Sequence, residues 1–588
     1  MALCANYTPT LRLLIVFTLL ATPASPGNTL STLALHDSLH GMWLGQLIGN
    51  ATGRSTEGLY DGAEPNPDVS VPWELKQLWD ADDDTDIEYL ALHILETWGF
   101  NCTPANIATE WLEHLTPQGL YLANKQAWSL MIDGYLPPDT GSRTYNQHWY
   151  SIDAQIGTEV LGALSPGMPS VAAALTDRFA RITNSDLAVH AAQFYAAMYS
   201  NAFLEPDVVL LVEGALPYVP PTSRTYTVIN DVLHWYYEDL NDGHLDWRAT
   251  RRRLYDTYQG SLSFGRYYNW VESTINTGVT VLALLYGQGD FRTTVQIAVL
   301  CGWDSDCNPA TAGGLLGIIH GFTGLPSEFT DPASAGDVYL NVSRPGLPDP
   351  NAPLPQSEPL PRVADRMLAL ARENILRNGG SLQHGRFETL YRVPDPPIPS
   401  SDVNNTRVIG PGSLVDRARA ASVVVTPSAS VAGYDSSADR TNLATLIDAI
   451  VENADNGMRP YRTHAPGKLS PAGQDWYQLA FSEPVLFDGL VFYEGDILWS
   501  RINAYYRDDH ARGGFFTDLT VQIRRDGTYI EPADLVMSEP LDPFAMYQVI
   551  AFRFSPTVGD AIRIIGTPGG TEGFTTILEL EPQGELLP

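Results

Sequence analysis

Five aspartates fall within seven residues at Asp80, Asp82, Asp83, Asp84 and Asp86, and a second cluster, Asp304-Ser305-Asp306, follows more than two hundred residues later. Each opens an apolar pattern with helical spacing. After the first come Ile87, Leu90, Ala91 and Ile94, at i, i+3, i+4 and i+7. After the second, Asn308 and Pro309 read as N-cap and first helical residue, ahead of Leu315, Leu316, Ile318 and Ile319. An isolated acidic run is usually a solvated helix start. Two of similar form are harder to explain that way. Crowded carboxylates repel, and a helix dipole relieves each charge by only ~0.3–1 kcal/mol, so a bound cation is the natural compensation. Oxygen-only donors suit magnesium, calcium or manganese rather than zinc.

Three blocks in chain order carry a family resemblance: GMWLGQLIGNATGRSTEG (Gly41–Gly58), DADDDTDIEYL (Asp80–Leu90) and CGWDSDCNPATAGGLLGIIHG (Cys301–Gly321). AQIGTEVLGALSPGMP (Ala154–Pro169) and INTGVTVLALLYGQGDF (Ile275–Phe291) lie between them. Together they resemble the ADP-ribosylglycohydrolases, the family of the dinitrogenase reductase-activating glycohydrolase and the ADP-ribose–acceptor hydrolases, over roughly residues 30–345. The resemblance implies an all-α catalytic domain and magnesium ligands at Glu57, Asp83, Asp84, Asp304 and Asp306, for one or two ions, with manganese as a substitute. It implies cleavage of an N- or O-glycosidic ADP-ribosyl bond at the anomeric carbon of the distal ribose. Glu57 is then ligand or general base, with Asp82 and Asp84 as further catalytic carboxylates. Gly157, Ser165 and Gly167 would offer backbone donors to the diphosphate, and Asn276 would meet the ribose. Three positions depart from the family pattern. Asn50 replaces an aspartate, Asp82 replaces a threonine that would otherwise be a ligand, and Cys307 replaces the last ligand threonine. A thiol is soft where magnesium is hard, so either Asp82 supplies the missing oxygen or one of two metal positions is weakened. The same departures leave open a non-catalytic ADP-ribose or glycan binder, and an extracellular setting leaves open another ribosyl or glycosyl conjugate as substrate.

The formal net charge of −33 excludes sequence-independent binding to nucleic acid or anionic membrane, which requires Lys and Arg. Leu11–Leu20 is apolar apart from Arg12 and Thr18 and runs into Ala21-Thr22-Pro23-Ala24, so residues 1–26 read as a secretory signal and the mature protein as secreted or periplasmic. Beyond it, no stretch is long and apolar enough to span a bilayer. Cys102, Cys301 and Cys307 remain, an odd number that leaves at least one free thiol or an intermolecular bond; Cys301 and Cys307 are a possible pair.

The elements that must position these residues are mostly helices. Gly41, Gly45, Gly49 and Gly53 fall every four residues, and Gly313, Gly317 and Gly321 repeat the spacing. Glycine costs ~1 kcal/mol per interior helical position relative to alanine, so each stripe needs a packing reason; the expectation is close backbone approach and no nucleotide loop. Further helices are expected over Val171–Phe179, Leu187–Phe203 and Val279–Tyr286. His190 is expected packed or hydrogen-bonded. Trp149, Tyr150 and Asp153 could meet adenine or ribose, though the aromatic pair reads equally well as core.

Residues 28–390 form the expected helical domain. It ends in a Pro-rich extension: an extended connector over Arg344–Pro361 and an amphipathic helix over Val363–Leu376. A linker follows over 391–414. Residues 415–588 read as an antiparallel β-sandwich, with strands at Trp476–Phe481, Leu486–Tyr493, Phe516–Ile523, Tyr547–Phe554 and Ala561–Ile565, and a hairpin turn at Asp526-Gly527. The strand order resembles discoidin-like (coagulation factor type C-like) galactose-binding modules, which implies either a glycan or surface ligand or a structural companion of the catalytic domain.

Overall fold

The structure is a computed structural model. It describes residues 29–81, 83–260, 267–342, 357–384, 389–394, 424–427, 461–462, 473–499, 511–543, 545–571 and 573–587. The expected leader over residues 1–26 and most of the expected linker over 391–414 lie outside the described residues.

Two buried helices, Thr32–Gly53 and Cys307–Gly324, form the centre of the first domain. The glycine stripes explain their contact. A Cβ added at Gly45 would stand 2.8 Å from the carbonyl carbon of Gly313, and closer still to its oxygen. Gly41 meets Gly317 in the same way, Gly49 meets Pro309, and Gly53 meets Ser305. The two backbones therefore touch along their length, and the last contact lands on the residue between Asp304 and Asp306. The second helix starts earlier than its sequence pattern suggests. Asp306 is the N-cap and Cys307 the first helical residue, because the acidic turn itself winds into the helix.

The other expected helices form as Pro169–Ala180, Leu187–Ala202 and Ser273–Gly287. His190 is buried and shares a hydrogen bond with the Ser223 hydroxyl at 3.0 Å. The amphipathic helix spans Leu360–Arg377 and lays Val363, Met367 and Leu370 into the helical core. Two small three-stranded sheets fasten the chain ends to this core. In one, Thr29–Ser31 and Ser381–His384 flank Thr389–Arg392. In the other, Trp79–Asp80 and Ser357–Pro359 flank Val338–Leu340. The end of the expected connector is thus a paired strand, and Pro361 already belongs to the helix. Proline suits a first helical turn, where its missing N–H is not needed.

Beyond residue 473 the described residues are mainly β. Thr528–Ile530, Phe516–Arg525, Val549–Pro568, Asp475–Glu494, Thr576–Leu586 and Tyr461–Arg462 hydrogen-bond in that spatial order, all antiparallel. Two pairs of expected strands are each one long strand. In Asp475–Glu494 the side chains in the sheet's main core are Tyr477, Leu479, Phe481, Val485 and Phe487, and then, with a shift of phase, Leu490 and Phe492. Register breaks in Val549–Pro568 answer this shift. Such bulges bend a sheet, and here both halves bury into one core. Asp526-Gly527 closes a two-residue hairpin, with φ +49° and +77° at its two positions. Those positive angles are what a type I′ turn requires.

The sheet region touches the helical domain through the loop around 542–548. Met546 N donates to Thr144 O at 2.8 Å, and the Tyr547 ring stands edge-on to Trp149 with the Arg143 guanidinium over it.

A buried carboxylate pair, Glu88 and Glu159, lies inside the helical core. Glu159 accepts from Gln46 Nε2 at 2.5 Å, from the Tyr199 hydroxyl at 3.1 Å and from the Thr311 hydroxyl. Burial pushes Glu159 up from 4.5 to about 7; burial and the Glu159 charge push Glu88 well above the carboxylate range. Both folded values are raised, so between the unfolded and folded values the native chain holds protons that the unfolded chain has lost. Stability from this pair is present at low pH and disappears as pH rises through the folded value. Glu159→Gln is expected to raise Tm at about pH 8 by a few degrees and to flatten the fall in Tm between about pH 5 and about pH 8. Gln46 Oε1 has no hydrogen-bond partner among the described residues and can turn to accept from the new amide. Thermal melts at the two pH values check this; an unchanged slope in the variant would refute it.

Candidate active site

The close contact at Gly53 brings the end of the first helix against the Asp304–Asp306 turn. Ser305 Oγ donates to Gly53 O at 3.2 Å and pairs with the Thr56 hydroxyl at 3.0 Å. The segment after the helix then runs past the turn, with Gly58 N donating to Trp303 O at 2.9 Å. Gly302, at φ +87°, lies where a Cβ would strike Tyr60. Arg251 locks the two segments together. Its guanidinium donates to Cys301 O at 3.1 Å, Gly62 O at 2.6 Å, Ala63 O at 2.8 Å and Tyr60 O at 3.1 Å, with its face 3.9 Å from the Trp303 ring. This arginine is fully buried, and burial lowers it to about 10.

Asn276 holds the turn from the other side. Its Oδ1 accepts from Asp304 N at 3.2 Å and Asn308 Nδ2 at 2.8 Å, and its Nδ2 donates to Trp270 O and Glu272 O. All its polar groups are thus spent on positioning, and it does not line the cavity described below. The same is true of the three expected backbone donors. The N–H groups of Gly157, Ser165 and Gly167 go to Asp153 O, Gly162 O and Ser200 O. Helical turns and loop closure use these donors.

Asp304 and Asp306 are both buried, and each has its Oδ1 without a hydrogen-bond partner among the described residues. Asn50 Nδ2 reaches Asp306 Oδ2 at 3.3 Å. Burial, then the charge of Asp306, pushes the Asp304 carboxyl well above its ordinary range. Two buried carboxylates with an orphaned oxygen apiece are costly unless a cation joins them. The donor set therefore fits a hard metal ion. Donor atoms of Asp304, Asp306 and Cys307 come within 4.8 Å of one another.

These residues lie at a cavity of about 680 Å³, together with Glu57, Arg54, Asp153, Asn269 and Trp270. Leu122, Ile152, Ile156 and Val271 give it an apolar wall. Glu57 is exposed at its edge and close enough for its charge to act on Asp304. Asp153 is buried, accepts from Ser151 Oγ at 2.5 Å and Asn124 N at 3.0 Å, and is pushed up to about 6 by burial. Trp149 and Tyr150 are core, with Tyr150 stacked on Tyr268 at 3.9 Å beside the cavity.

Of the first acidic run, Asp83 and Asp84 start the Asp83–Trp98 helix, while Asp82 and the side chains of Asp83 and Asp84 lie outside the described residues. The run's two ends are structural. Asp86 accepts from the Tyr339 hydroxyl and from Val342 N. Asp80 is paired with Lys76 and Arg54; burial opposes its charge, but the two cations outweigh it and hold the carboxyl below its usual range. Arg54, a site residue outside the expected set, also donates to Asn50 Oδ1 at 2.6 Å. Its i,i+4 spacing from Asn50 was the available signal.

A family model for ADP-ribosylglycohydrolases matches residues 31–349, more than half of the chain. The chain belongs to the ADP-ribosylglycohydrolase family. As a member of this family it is a glycohydrolase; the family is typically metal-dependent, and Asp304, Asp306 and Cys307 form a group that could hold an ion. No curated protein matches it. Among solved structures, one described as an ADP-ribosylglycohydrolase-related protein complex is 18% identical, covering 58% of this chain and 99% of that one with a TM-score of 0.37. A family 32 carbohydrate-binding module from C. perfringens NanJ, in complex with galactose, is 14% identical over 27% of this chain and 92% of its own, at TM-score 0.18. An F5/8 type C domain from Bacteroides fragilis is 16% identical over 31% of this chain and 99% of its own, at TM-score 0.19.

Cys301 and Cys307 are both buried free thiols. Cys307 bonds the Asp304 carboxylate and packs its other side on Ile152, Ile156 and Val271. It stands between the acidic turn and the apolar wall. Cys307→Thr puts a hard oxygen in its place and is expected to keep or raise magnesium affinity by up to ~tenfold. Isothermal titration with magnesium checks this; a large loss of affinity would show that the sulfur itself is needed.

Proposed function

We propose that this glycohydrolase is a secreted, magnesium-dependent hydrolase of ADP-ribosyl bonds. The observation that carries this is the pair of buried aspartates, each with an orphaned oxygen, facing a cavity with Glu57 at its edge. Asp304 and Asp306, together with Asp83 and Asp84, are the residues that would hold magnesium or, in its place, manganese, as one or two ions. When bound, the ion orients the ribose hydroxyls and eases deprotonation of water. Glu57 takes the proton of the attacking water. The bond from the anomeric carbon to the acceptor breaks as the bond to water oxygen forms, and the acceptor leaves with a proton, for which Asp82 is the assigned acid. Asp153 offers its carboxylate to a ribose hydroxyl, and Arg54 gives the cavity wall a positive charge suited to the diphosphate.

Secretion rests on the leader pattern over residues 1–26; among the described residues no helix is long and apolar enough to cross a membrane. The catalytic unit is assigned to 28–390, the linker to 391–414 and the sheet module to 415–588, with a glycan or surface ligand as the module's partner. The test is release of ADP-ribose from a panel of ADP-ribosylated acceptors, with magnesium and with chelator. Turnover of one acceptor class that chelator abolishes supports the reading. Binding of ADP-ribose without any turnover would replace it with a binding protein.

A further inference from the structure

A second group of metal-ligating side chains lies on the far half of the helix that begins with Asp83. His93 sits on that helix, Asp83–Trp98, and Glu110 and His114 sit one turn apart on the next, Pro104–His114. Residues at i and i+4 share a helix face, so Glu110 and His114 present their donors together. Both imidazoles aim at one carboxylate oxygen. His93 Nε2 is 3.1 Å and His114 Nε2 3.2 Å from Glu110 Oε2. The rings stand 4.9 Å apart and nearly perpendicular, so neither blocks the other. The second carboxylate oxygen is fixed by Trp98 Nε1 at 2.7 Å.

We propose that His93, Glu110 and His114 form a second metal site, for a zinc-class divalent cation, that staples these two helices together. Zinc takes nitrogen and carboxylate ligands at ~2.0–2.2 Å, and two such arms at a tetrahedral angle set their donors ~3.3 Å apart. The observed 3.1 and 3.2 Å separations are within a few tenths of that edge. The three donors lie within 4.8 Å of one another, so an ion among them needs small side-chain shifts only. The Trp98 bond is the outer support that metal-ligating carboxylates usually have. His93 is about 31% exposed, which leaves a path for the ion and room for water as the fourth ligand. Two imidazoles with a single carboxylate select a different metal from the oxygen-rich acidic turn. Each site therefore keeps its own ion.

The test uses the full chain, stripped with chelator and then given zinc alone as probe against a background of saturating magnesium. Bound zinc after dialysis should be stoichiometric in the wild type and in Asp304→Ala. His93→Ala and His114→Gln should each weaken zinc binding by at least ~tenfold and remove the zinc-dependent rise in Tm. Should either variant fold poorly, cobalt(II) added to the stripped wild type provides a second measurement, through the visible absorption of a tetrahedral nitrogen–oxygen site. No zinc uptake by the wild type, or equal uptake by both histidine variants, would overturn the proposal and leave the three residues as a hydrogen-bonded cluster only.

Discussion

Asp304→Ala is expected to lower kcat/KM for metal-dependent release of ADP-ribose by at least ~10³-fold, or ~4 kcal/mol of transition-state stabilisation. The carboxylate is buried, its Oδ1 has no hydrogen-bond partner among the described residues, and it shares its surroundings with Asp306. Asn276, through the Asp304 N–H, and Arg251, through Cys301 O, hold the turn that carries this ligand. The metal-free protein should respond the opposite way. Removing one of two crowded carboxylates relieves like-charge repulsion, so Tm measured in chelator should hold or rise. A purely structural aspartate would give the reverse pattern, lower Tm with activity retained in the surviving fraction. Kinetics with magnesium and melts in chelator, on the same preparation, separate the two roles.

Much of this site was legible because its chemistry is local in sequence. The two acidic clusters, the helices after them and the glycine stripes are short-range patterns, and each maps onto a feature of the fold. The supports were not legible, because they act across the chain. Arg251 reaches back nearly two hundred residues to the carbonyls of Tyr60, Gly62 and Ala63, and no spacing rule joins them. Asn276 is a related case: the sequence points to the position, and the structure adds that its amide holds the acidic turn. Asp153 shows what burial adds. Its sequence context offers only a carboxylate near aromatics; the enclosed position raises it to about 6 and turns it into part of the cavity wall. Similarly, the run Asp80–Asp86 reads as uniform, yet its two ends are spent on Arg54, Lys76 and Tyr339. In the sheet region the strands were visible by composition, but the joining of pairs into two long bent strands was not. A bulge changes which face is buried, and a break in alternation looks like a strand end.

The glycine stripe sets two known magnitudes against each other. Judged as an isolated helix, Gly45→Ala should stabilise by ~1 kcal/mol, since glycine is the poorer helix former. Judged from the packing, the new methyl would sit against the backbone of Gly313, which cannot swing aside as a flexible side chain would. Overpacking of a fixed interior typically costs ~1–3 kcal/mol, and a clash with main chain belongs at or beyond the upper end. Packing should win, and Gly45→Ala is expected to lower stability by ~3 kcal/mol or more. Gly214 is the control. It is an exposed helical glycine whose added Cβ would meet only Asn201 Nδ2 at 3.8 Å, so Gly214→Ala should stabilise by up to ~1 kcal/mol. Gly53→Ala joins stability to function, because its contact is Ser305, between the two buried aspartates. That variant should lose magnesium affinity along with Tm, whereas Gly45→Ala should lose Tm first and bind magnesium normally in whatever fraction remains folded. Denaturant melts and magnesium titrations of the three variants decide the matter. Equal stabilities for Gly45→Ala and Gly214→Ala would mean that the two central helices can move apart, and that the close approach delivering the acidic turn to Glu57 is not enforced by the glycines.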